Sequence, residues 1–412
     1  MLILFAGDNQ LGKAFKFKRN AEIGVSERTI DLIKPMIEIA NYAIERAVKI
    51  VVFCGDLYDR PTISATIKKL FRKYVLIPLR SKNIDVLVIG GNHDSPQQLN
   101  AGCDIEDLVI SDKIAVKRNM GTKIYSIDGE KIGFVALPFL TPETVWDVNV
   151  NEDGKHPRRS ETVEPTIAAE YISKVTIPAA LKEIDGCTAK ILIGHYHVLG
   201  TRASNMPDGF VDKEIAFNRT QIHEESFDLS VFGHIHAPQE LGKKIIVPGS
   251  TERMSFGERS EDKRFIIYET VEKKWESIPL QSRKMMQLDF RFDVKEKNPT
   301  GEILQALMAK GKDDELLIND ALVKIVVYAP PAVLDKIDYD SIERATAKAF
   351  HAIIDAVNSD KGREGSAVSF AISEIANPAK LMESYIKTTF KDDGEERVKA
   401  LIEKTRKFMG MS

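Results

Sequence analysis

This 412-residue chain lacks a cysteine zinc motif, a long apolar run and a Gly-x-x-x-x-Gly-Lys-Ser/Thr motif, and each absence excludes a class of protein. The three cysteines, Cys54, Cys103 and Cys187, are widely spaced and fit no zinc motif, so we expect reduced thiols and a cytoplasmic location. No run of about 18 apolar residues occurs, and the apolar start at Leu2 to Ala6 is too short for a secretion signal, which predicts an intracellular protein without a membrane partner. No Gly-x-x-x-x-Gly-Lys-Ser/Thr motif occurs, so any ATP dependence would have to come from a partner protein.

Excess charge of one sign is also missing. Lysine and arginine number 58 against 61 acidic residues, a formal net charge of −3, so any DNA contact must depend on local basic patches. One such patch is the segment 13–19, in which basic residues alternate with two phenylalanines. Its cations could neutralise phosphates while a phenylalanine packs on sugar or base; the alternative is a solvent-exposed loop with incidental charges. The candidate DNA-binding residues are Lys13, Lys16, Lys18 and Arg19.

Five short polar clusters each follow an apolar, β-branched segment directly. The segments LILFA, KIVVFC, IDVLVIG, AKILIG and LSVFG are typical of buried parallel strands. Because the carboxyl ends of such strands converge on one crevice in an open α/β sheet, residues that are far apart in the chain can share one site. The clusters are Gly7-Asp8-Asn9-Gln10, Gly55-Asp56-Leu57-Tyr58-Asp59-Arg60, Gly91-Asn92-His93-Asp94, Gly194-His195-Tyr196-His197 and Gly233-His234-Ile235-His236.

The residue types in these clusters predict a two-metal centre. Asp56 could bridge two cations, and two metals about 3.5–4 Å apart can clamp both ends of a phosphodiester displacement. The mixed oxygen and nitrogen ligands suit manganese, and magnesium or zinc less well. An exposed loop with incidental histidines is a poor explanation, because five of the eight histidines fall inside the clusters. These are His93, His195, His197, His234 and His236.

The motifs resemble those of the calcineurin-like metallophosphoesterases, whose pattern is Asp-x-His, Gly-Asp-x-x-Asp, Gly-Asn-His-Asp, a lone His and Gly-His-x-His. Within that superfamily the flanking residues are similar to the SbcD and Mre-eleven family of nuclease subunits that act in DNA double-strand-break repair. The resemblance covers about residues 1–280 and implies an α/β fold, a β-sandwich flanked by helices. The similar segments are Gly55-Asp-Leu-Tyr-Asp59, Gly91-Asn-His-Asp-Ser95, Gly233-His-Ile-His-Ala-Pro-Gln239, Val247-Pro-Gly-Ser250 and Ser255-Phe-Gly-Glu258.

The resemblance also implies a role for each residue of the site. His93 would lie over the scissile phosphate and protonate the leaving oxygen or stabilise the developing charge, and Asp59 would orient the ring. The nucleophile would be a water held by the metals, and His197 is interpreted as a neighbour of the site. One Mn²⁺, with Mg²⁺ as the alternative, would be held by Asp8, Asp56 and His236, and the other by Asp56, Asn92, His195 and His234.

Gln10 departs from the family pattern, because it stands where the first motif has histidine. An amide oxygen can bind a hard cation, but it is a weaker ligand for manganese than imidazole is. Three explanations stay open: a natural site of lowered affinity, an engineered substitution that cripples the enzyme, or a role that has drifted toward DNA binding or scaffolding. We expect weakened metal binding that is not abolished, because six other ligand positions are intact.

The sequence predicts three domains. Residues 1–281 would form the nuclease domain, with a helix over about 27–47 capped by Ser26 and another over about 63–77. Residues 282–375 would form a smaller α+β domain, which the resemblance implies caps the active site and selects DNA; the alternative is a dimerisation element or a structural lid. In this domain we predict strands near 286–294, 322–329 and 367–372, and helices near 300–309 and 341–358.

Residues 376–412 are predicted to form two amphipathic helices. Such helices are more often core than partner surface, but little core is left to join here, and the resemblance places the docking site of an ABC-type coiled-coil ATPase (SbcC or Rad-fifty type) in this segment. The leading functional hypothesis is therefore a manganese-dependent DNA exonuclease and endonuclease that works as a homodimer with an ATPase. The alternatives are a small-substrate phosphodiesterase or phosphatase of the same fold, and a DNA-end-binding scaffold whose catalysis is weakened through Gln10.

Overall fold

The computed structural model describes residues 1–13, 20–94, 121–142, 145, 164–202, 214–313, 318–359, 368–371, 386, 397–399 and 401–403. The chain forms two compact units, Met1–Ser282 and Arg283–Ser412. Three of the candidate DNA-binding residues, Lys16, Lys18 and Arg19, lie outside the described residues, as does most of the predicted C-terminal helical segment. The capping and partner-binding roles of the second unit stay predictions.

The described residues of the first unit form two main sheets. In chain order the strands are β1 (Leu2–Ala6), β2 (Ile50–Cys54), β3 (Asp85–Ile89), β4 (Gly121–Ile127), β5 (Glu130–Leu137), β6 (Ala189–His195), β7 (His197–Val198), β8 (Ala216–Phe217), β9 (Leu229–Gly233), β10 (Gln239–Leu241), β11 (Ile245–Val247), β12 (Arg264–Glu269) and β13 (Lys274–Pro279). The first sheet has the strand order β13-β12-β1-β2-β3, in which β1, β2 and β3 run parallel. The second has the order β10-β11-β9-β6-β5-β4, and β7 pairs with β8 apart from both.

The five strands that carry the polar clusters are divided between these sheets. β1, β2 and β3 belong to the first, whereas β6 and β9 belong to the second, so the single open sheet assumed in the sequence argument is wrong. One core cluster joins alternate residues of the first sheet, such as Phe5 and Val52, to Phe134 and Ile191 of the second. The clusters therefore converge across two packed sheets. The predicted α/β class, a β-sandwich flanked by helices, is confirmed.

Helix α1 (Glu27–Glu45) covers the outer face of the first sheet. The Ser26 side chain accepts the backbone N–H of Arg28 at 3.3 Å, which is the N-cap predicted from the sequence. Its buried apolar residues, among them Leu32 and Met36, pack with Leu4 and Val51 on that face. The helix ends two residues earlier than predicted.

Two further helices of the first unit share an interruption. α2 (Ala65–Phe71) is capped by Ser64 and continues through a π-helical turn, Arg72–Leu76, into α3 (Ile77–Ser81). α4 (Pro165–Tyr171) continues in the same way through Ile172–Thr176 into α5 (Ile177–Glu183). A proline stands two residues after each turn, at Pro78 and Pro178, and it has no N–H to donate to the preceding turn, which explains the widened backbone there. The predicted helix at 63–77 thus begins later and extends further.

The described residues of the second unit form one sheet with helices packed on it. The strands are β14 (Met285–Arg291), β15 (Leu322–Ala329), β16 (His351–Asn358) and β17 (Val368–Ala371), and the helices are α6 (Pro299–Asp313), α7 (Pro331–Leu334) and α8 (Tyr339–Ala345). The strand order is β14-β15-β16-β17, with the first two pairs parallel and the last antiparallel. The core joins α6 to Val323, Ile325 and Ile354 of the sheet.

The helix predicted over 341–358 is wrong. The helix ends at Ala345, and His351–Asn358 is a strand that pairs with β15 along its whole length and with β17 on its other edge. The β-branched residues Ile353, Ile354 and Val357 suit this central position, where pairing on both sides overrides helical spacing. Within the described ranges, no helix has the length and apolar character that crossing a membrane requires.

Candidate metal centre

The polar clusters lie at the carboxyl ends of strands from both sheets. Asp8 follows β1, Asp56 follows β2 and His195 ends β6. Each of these three buried residues offers one ligand atom, and the three atoms all lie within 4.8 Å of one another. Asn92 follows β3 and His234 follows β9, so the two sheets deliver carboxylate, amide and imidazole groups to one place.

His195 presents one ring nitrogen to this cluster. Its Nδ1 donates to the Cys54 carbonyl oxygen at 2.8 Å, because a carbonyl can only accept. In the neutral ring Nε2 then carries a lone pair, and it lies 3.1 Å from Asn92 Oδ1 and 3.4 Å from Asp56 Oδ1. Burial lowers the pKa of His195, but the negative charges of Asp56 and Asp8 outweigh this and raise it to about 9. A positive charge, either a proton or a metal ion, is therefore favoured here.

His234, which follows β9, contacts the same amide oxygen, Asn92 Oδ1. Its Nδ1 is 3.1 Å from Asn92 Oδ1, while its Nε2 is 2.9 Å from a carboxylate oxygen of Glu214. The His234 backbone N–H donates to the Asp8 carboxylate at 3.0 Å. Since the carboxylate of Glu214 accepts at Nε2, the Nδ1 lone pair faces the Asn92 oxygen. Two acceptors this close fit a cation between them.

Asp56 occupies the centre of the cluster and is 2% exposed. Its Oδ1 accepts the His93 backbone N–H at 2.9 Å, and its Oδ2 accepts Nε2 of Gln10 at 2.6 Å. Burial raises the pKa of Asp56, but His195 and His93 lower it well below its usual range. Asp8 differs, because burial is the dominant cause and raises its pKa. The surroundings therefore favour the ionised form of Asp56 and disfavour that of Asp8.

Gln10 is buried beside Asp56, and its amide oxygen has no hydrogen-bond partner among the described residues. A buried carbonyl oxygen without a donor is costly, and a bound cation would satisfy it. The amide N–H that Gln10 directs at Asp56 occupies a lone pair that a bridging carboxylate would otherwise offer to a metal. The residues fit a metal centre, with one position altered by Gln10.

His236 contacts a buried carboxylate through one ring nitrogen, and the charge of Asp8 acts on the same ring. Nδ1 lies 3.2 Å from Glu258 Oε1, and the second oxygen of Glu258 accepts the Lys263 ammonium at 2.7 Å. Burial raises the pKa of Glu258, but His236 and Lys263 lower it to about 2. The carboxylate of Glu258 is therefore ionised at neutral pH and can only accept from His236.

His93 lies at the open side of the centre. Its Nδ1 lies 2.8 Å from the backbone carbonyl oxygen of Asp59, its Nε2 lies 3.8 Å from Asp56 Oδ2, and the side chain is 44% exposed. Asp59 therefore contacts His93 through its main chain, whereas its carboxylate pairs with Lys13 at 3.1 Å and Arg60 at 3.0 Å. The ring is fixed on one side and accessible on the other.

Three carboxylates near the centre were missed in the sequence analysis. Asp94 accepts backbone N–H groups of Leu57, Tyr58 and Gly91, which ties the loop after β2 to the loop after β3. Burial and the charge of Asp56 raise its pKa to about 7. Glu258 and Asp94 both lie inside segments that are similar to the family motifs, so their place in the sequence could have indicated a role at the site. Glu214 had no such signal.

The backbone of the centre is held in an unusual conformation. Asp8, Gln10 and Asp56 each have a φ of 50°, and His234 has a φ of 89°. Residues other than glycine rarely adopt this left-handed region, and such positions cluster at functional sites. Gly91 allows the close approach, because a Cβ there would lie 2.1 Å from Asp56 Oδ1.

His197 is a neighbour of the site, and the charges of His234 and Glu214 act on it. It is 8% exposed, and its Nε2 lies 3.4 Å from the Thr201 carbonyl oxygen. Burial lowers its pKa. The contacts above join six of the seven predicted metal-binding residues, namely Asp8, Gln10, Asp56, Asn92, His195 and His234, and the charge of Asp8 acts on the seventh, His236. The role of all seven as ligands stays a prediction.

The chain belongs to the calcineurin-like phosphoesterase family, whose model matches residues 1–238. Together with the cluster of Asp8, Asp56 and His195, this membership identifies the class of protein: a metal-dependent phosphoester hydrolase with a candidate metal site. The chain is also similar to a dimetal phosphatase from Danio rerio, at 12% identity and a TM-score of 0.38, over 68% of this chain and 99% of that one. A second similar structure is GAP50, the anchor in the inner membrane complex of Plasmodium, at 10% identity and a TM-score of 0.36, over 69% and 90% of the two chains.

Proposed function

We propose that this chain is the nuclease subunit of a DNA double-strand-break repair complex of the SbcD and Mre-eleven type. It would hydrolyse phosphodiesters as an exonuclease on DNA ends and as an endonuclease on single strands and hairpins, with manganese as the metal. The observation that carries the proposal is His93, whose ring is fixed at Nδ1 by the Asp59 carbonyl and is exposed beside Asp56. The similarity of the motif-flanking residues to that family supports DNA as the substrate.

The residues of the site divide the chemistry between them. Asp8, Asp56 and His236 would hold one metal, and Asp56, Asn92, His195 and His234 the other. When bound, the metals would neutralise the scissile phosphate and activate a water for in-line attack. His93, protonated at Nε2, would pass a proton to the leaving oxygen, and the Asp59 carbonyl keeps the ring in the angle this requires.

Lys13 supports a polyanionic substrate at this site. Its ammonium lies 3.1 Å from the Asp59 carboxylate, and the same residue holds His93 through its carbonyl. A phosphate next to the scissile one would exchange this ion pair for a contact with Lys13. Lys16, Lys18 and Arg19 would extend the contact along the strand. The ATPase partner at the C-terminal helices, the homodimer and the cytoplasmic location belong to the same proposal.

A DNA-end-binding scaffold with weakened catalysis is the second candidate. The observation that favours it is the 2.6 Å contact from the Gln10 amide nitrogen to Asp56 Oδ2, where the family pattern has an imidazole. An amide is a poorer manganese ligand than imidazole, so the metal position shared by Asp8 and His236 would be filled less readily.

The experiment that tests the proposal is manganese-dependent degradation of linear duplex and single-stranded DNA by the full chain, beside hydrolysis of a p-nitrophenyl phosphodiester. His93→Gln should lower cleavage by about 10²–10⁴-fold, the usual contribution of a general acid. His197→Gln is the matched control, because His197 contributes no atom to the cluster of Asp8, Asp56 and His195, and it should retain activity. Hydrolysis of the small ester alone would favour a small-substrate enzyme, and tight DNA binding without cleavage would favour the scaffold.

A further inference from the structure

We infer that Glu214 and Glu258 are positioning residues that make the two histidines of Gly233-His234-Ile235-His236 present opposite ring nitrogens to the metals. His234 would ligate through Nδ1 and His236 through Nε2. The inference rests on the metal centre of the proposed function and is independent of DNA as the substrate.

The contact of Glu214 fixes the tautomer of His234. An ionised carboxylate has no proton to donate, so at 2.9 Å His234 Nε2 must be the donor and Nδ1 must carry the lone pair. That Nδ1 is the atom 3.1 Å from Asn92 Oδ1, inside the cluster. The Glu214 side chain is 16% exposed, so water competes only partly for its contact with His234.

The contact of Glu258 fixes the opposite tautomer in His236. Here Nδ1 is the donor at 3.2 Å, so Nε2 carries the lone pair. Neutral histidines that bind metals donate their outer N–H to a carboxylate or carbonyl in this way, and His195 does so with Cys54. The same motif thus contains two histidines with opposite requirements, each met by its own carboxylate.

The two carboxylates differ in how they are themselves held. Glu258 is 1% exposed, and its Oε2 accepts from Lys263 at 2.7 Å and from the Met254 backbone N–H at 3.1 Å. Lys263 is also buried, and an ammonium has no acceptor. For Glu214, the one hydrogen-bond partner in the described part of the chain is His234.

This difference predicts unequal effects of the same substitution. In Glu258→Gln the amide oxygen must face Lys263 and Met254, so the amide N–H₂ faces His236 Nδ1 and donates to it. The ring then carries its proton on Nε2 and cannot ligate through that atom. In Glu214→Gln the amide can turn its oxygen toward His234, and the ligating tautomer is kept.

The experiment is calorimetric titration of Mn²⁺ into the metal-free full chain. Glu258→Gln should lower manganese affinity by about 10–100-fold, the usual effect of losing such a partner. Glu214→Ala should show a loss of the same order, whereas Glu214→Gln should stay within about threefold of the parent. The matched control is Glu261→Gln, because Glu261 also contacts Lys263, at 2.6 Å, whereas the carboxylate that accepts from His236 belongs to Glu258; it should leave the affinity unchanged.

A second measurement separates positioning from general damage to the structure. Long-range ¹⁵N spectra of histidine-labelled, metal-free protein at alkaline pH report which ring nitrogen carries the proton. We expect one ring to change from the Nδ1–H to the Nε2–H tautomer in Glu258→Gln and none to change in Glu261→Gln.

Several outcomes would overturn the inference. An unchanged affinity together with an unchanged tautomer in Glu258→Gln would do so. If that variant fails to fold, the Glu214 pair decides, because equal affinities for Glu214→Ala and Glu214→Gln would contradict the argument. A parent protein that binds no manganese would overturn the metal centre itself. Failure to cleave DNA would leave these affinities and tautomers as predicted, so the two proposals fail separately.

Discussion

Asp94→Asn should change how the stability of the first unit depends on pH. The carboxyl of Asp94 accepts three backbone N–H groups, yet burial and the charge of Asp56 raise its pKa to about 7 from an ordinary 3.8. A carboxyl with a raised pKa binds its proton more tightly in the folded state. Its contribution to stability is therefore complete below pH 3.8 and is lost as the pH rises through about 7.

The pKa shift sets the size of the effect. Since each pKa unit corresponds to about 1.4 kcal/mol, Asp94 should cost the parent protein up to about 4 kcal/mol of unfolding free energy between pH 4 and pH 8. The asparagine variant has no titrating group at this position and should not show this loss. The difference in unfolding free energy between parent and variant should therefore move in favour of the variant as the pH rises.

Urea unfolding followed by tryptophan fluorescence measures this difference. Both tryptophans, Trp146 and Trp275, fall within the sequence range of the first unit, residues 1–282, so the signal reports the part of the chain that contains Asp94. The measurement is made in a chelator, and repeating it with Mn²⁺ should move the pH window downward, because cations beside Asp56 would neutralise the charge that helps to raise the pKa. A parent–variant difference that stays constant within about 1 kcal/mol from pH 4 to pH 8 would refute the reasoning.

Three further perturbations have defined outcomes. Gln10→His should raise manganese affinity and turnover, because imidazole replaces a weaker ligand. An unchanged affinity in calorimetry together with an unchanged rate in cleavage assays would contradict this expectation. Gly91→Ala should lower manganese affinity by at least about tenfold, since a Cβ 2.1 Å from Asp56 Oδ1 must displace that carboxylate, whereas Gly7→Ala, with its nearest contact at 3.6 Å, should bind normally. Ser26→Ala should lower the unfolding free energy by about 1 kcal/mol through loss of the N-cap, with no change in calorimetric manganese affinity.

The sequence predicted the members of the site better than their arrangement. Glycine and a ligand-type residue after an apolar segment mark a strand end wherever the strand lies, so Asp8, Asp56 and His195 could be found without knowing the sheet. The same pattern does not say which strands pair, because every buried parallel strand is apolar on both faces. The apolar pattern alone therefore suggested one open sheet, and only the family resemblance implied the two layers of a β-sandwich.

The remaining differences have local causes. His351–Asn358 was misinterpreted as helix, because a short apolar segment fits both helical and strand spacing until its pairing partners are known. Glu214 could not be found at all, since it reaches His234 only through the fold and belongs to no motif. Asp59 was expected to orient His93, and the structure makes this contact through the backbone carbonyl of Asp59, of which the sequence carries no sign.

The left-handed backbone at the metal centre has a consequence for protein engineering. Asp8, Gln10, Asp56 and His234 each hold a φ that costs a non-glycine residue about 1–3 kcal/mol. Glycine at any of these positions would release that strain while removing a candidate ligand. A laboratory selection for thermal stability alone should therefore enrich glycine at these four positions and yield stable but inactive proteins. A library that is selected for both stability and activity has to keep these four residues constant.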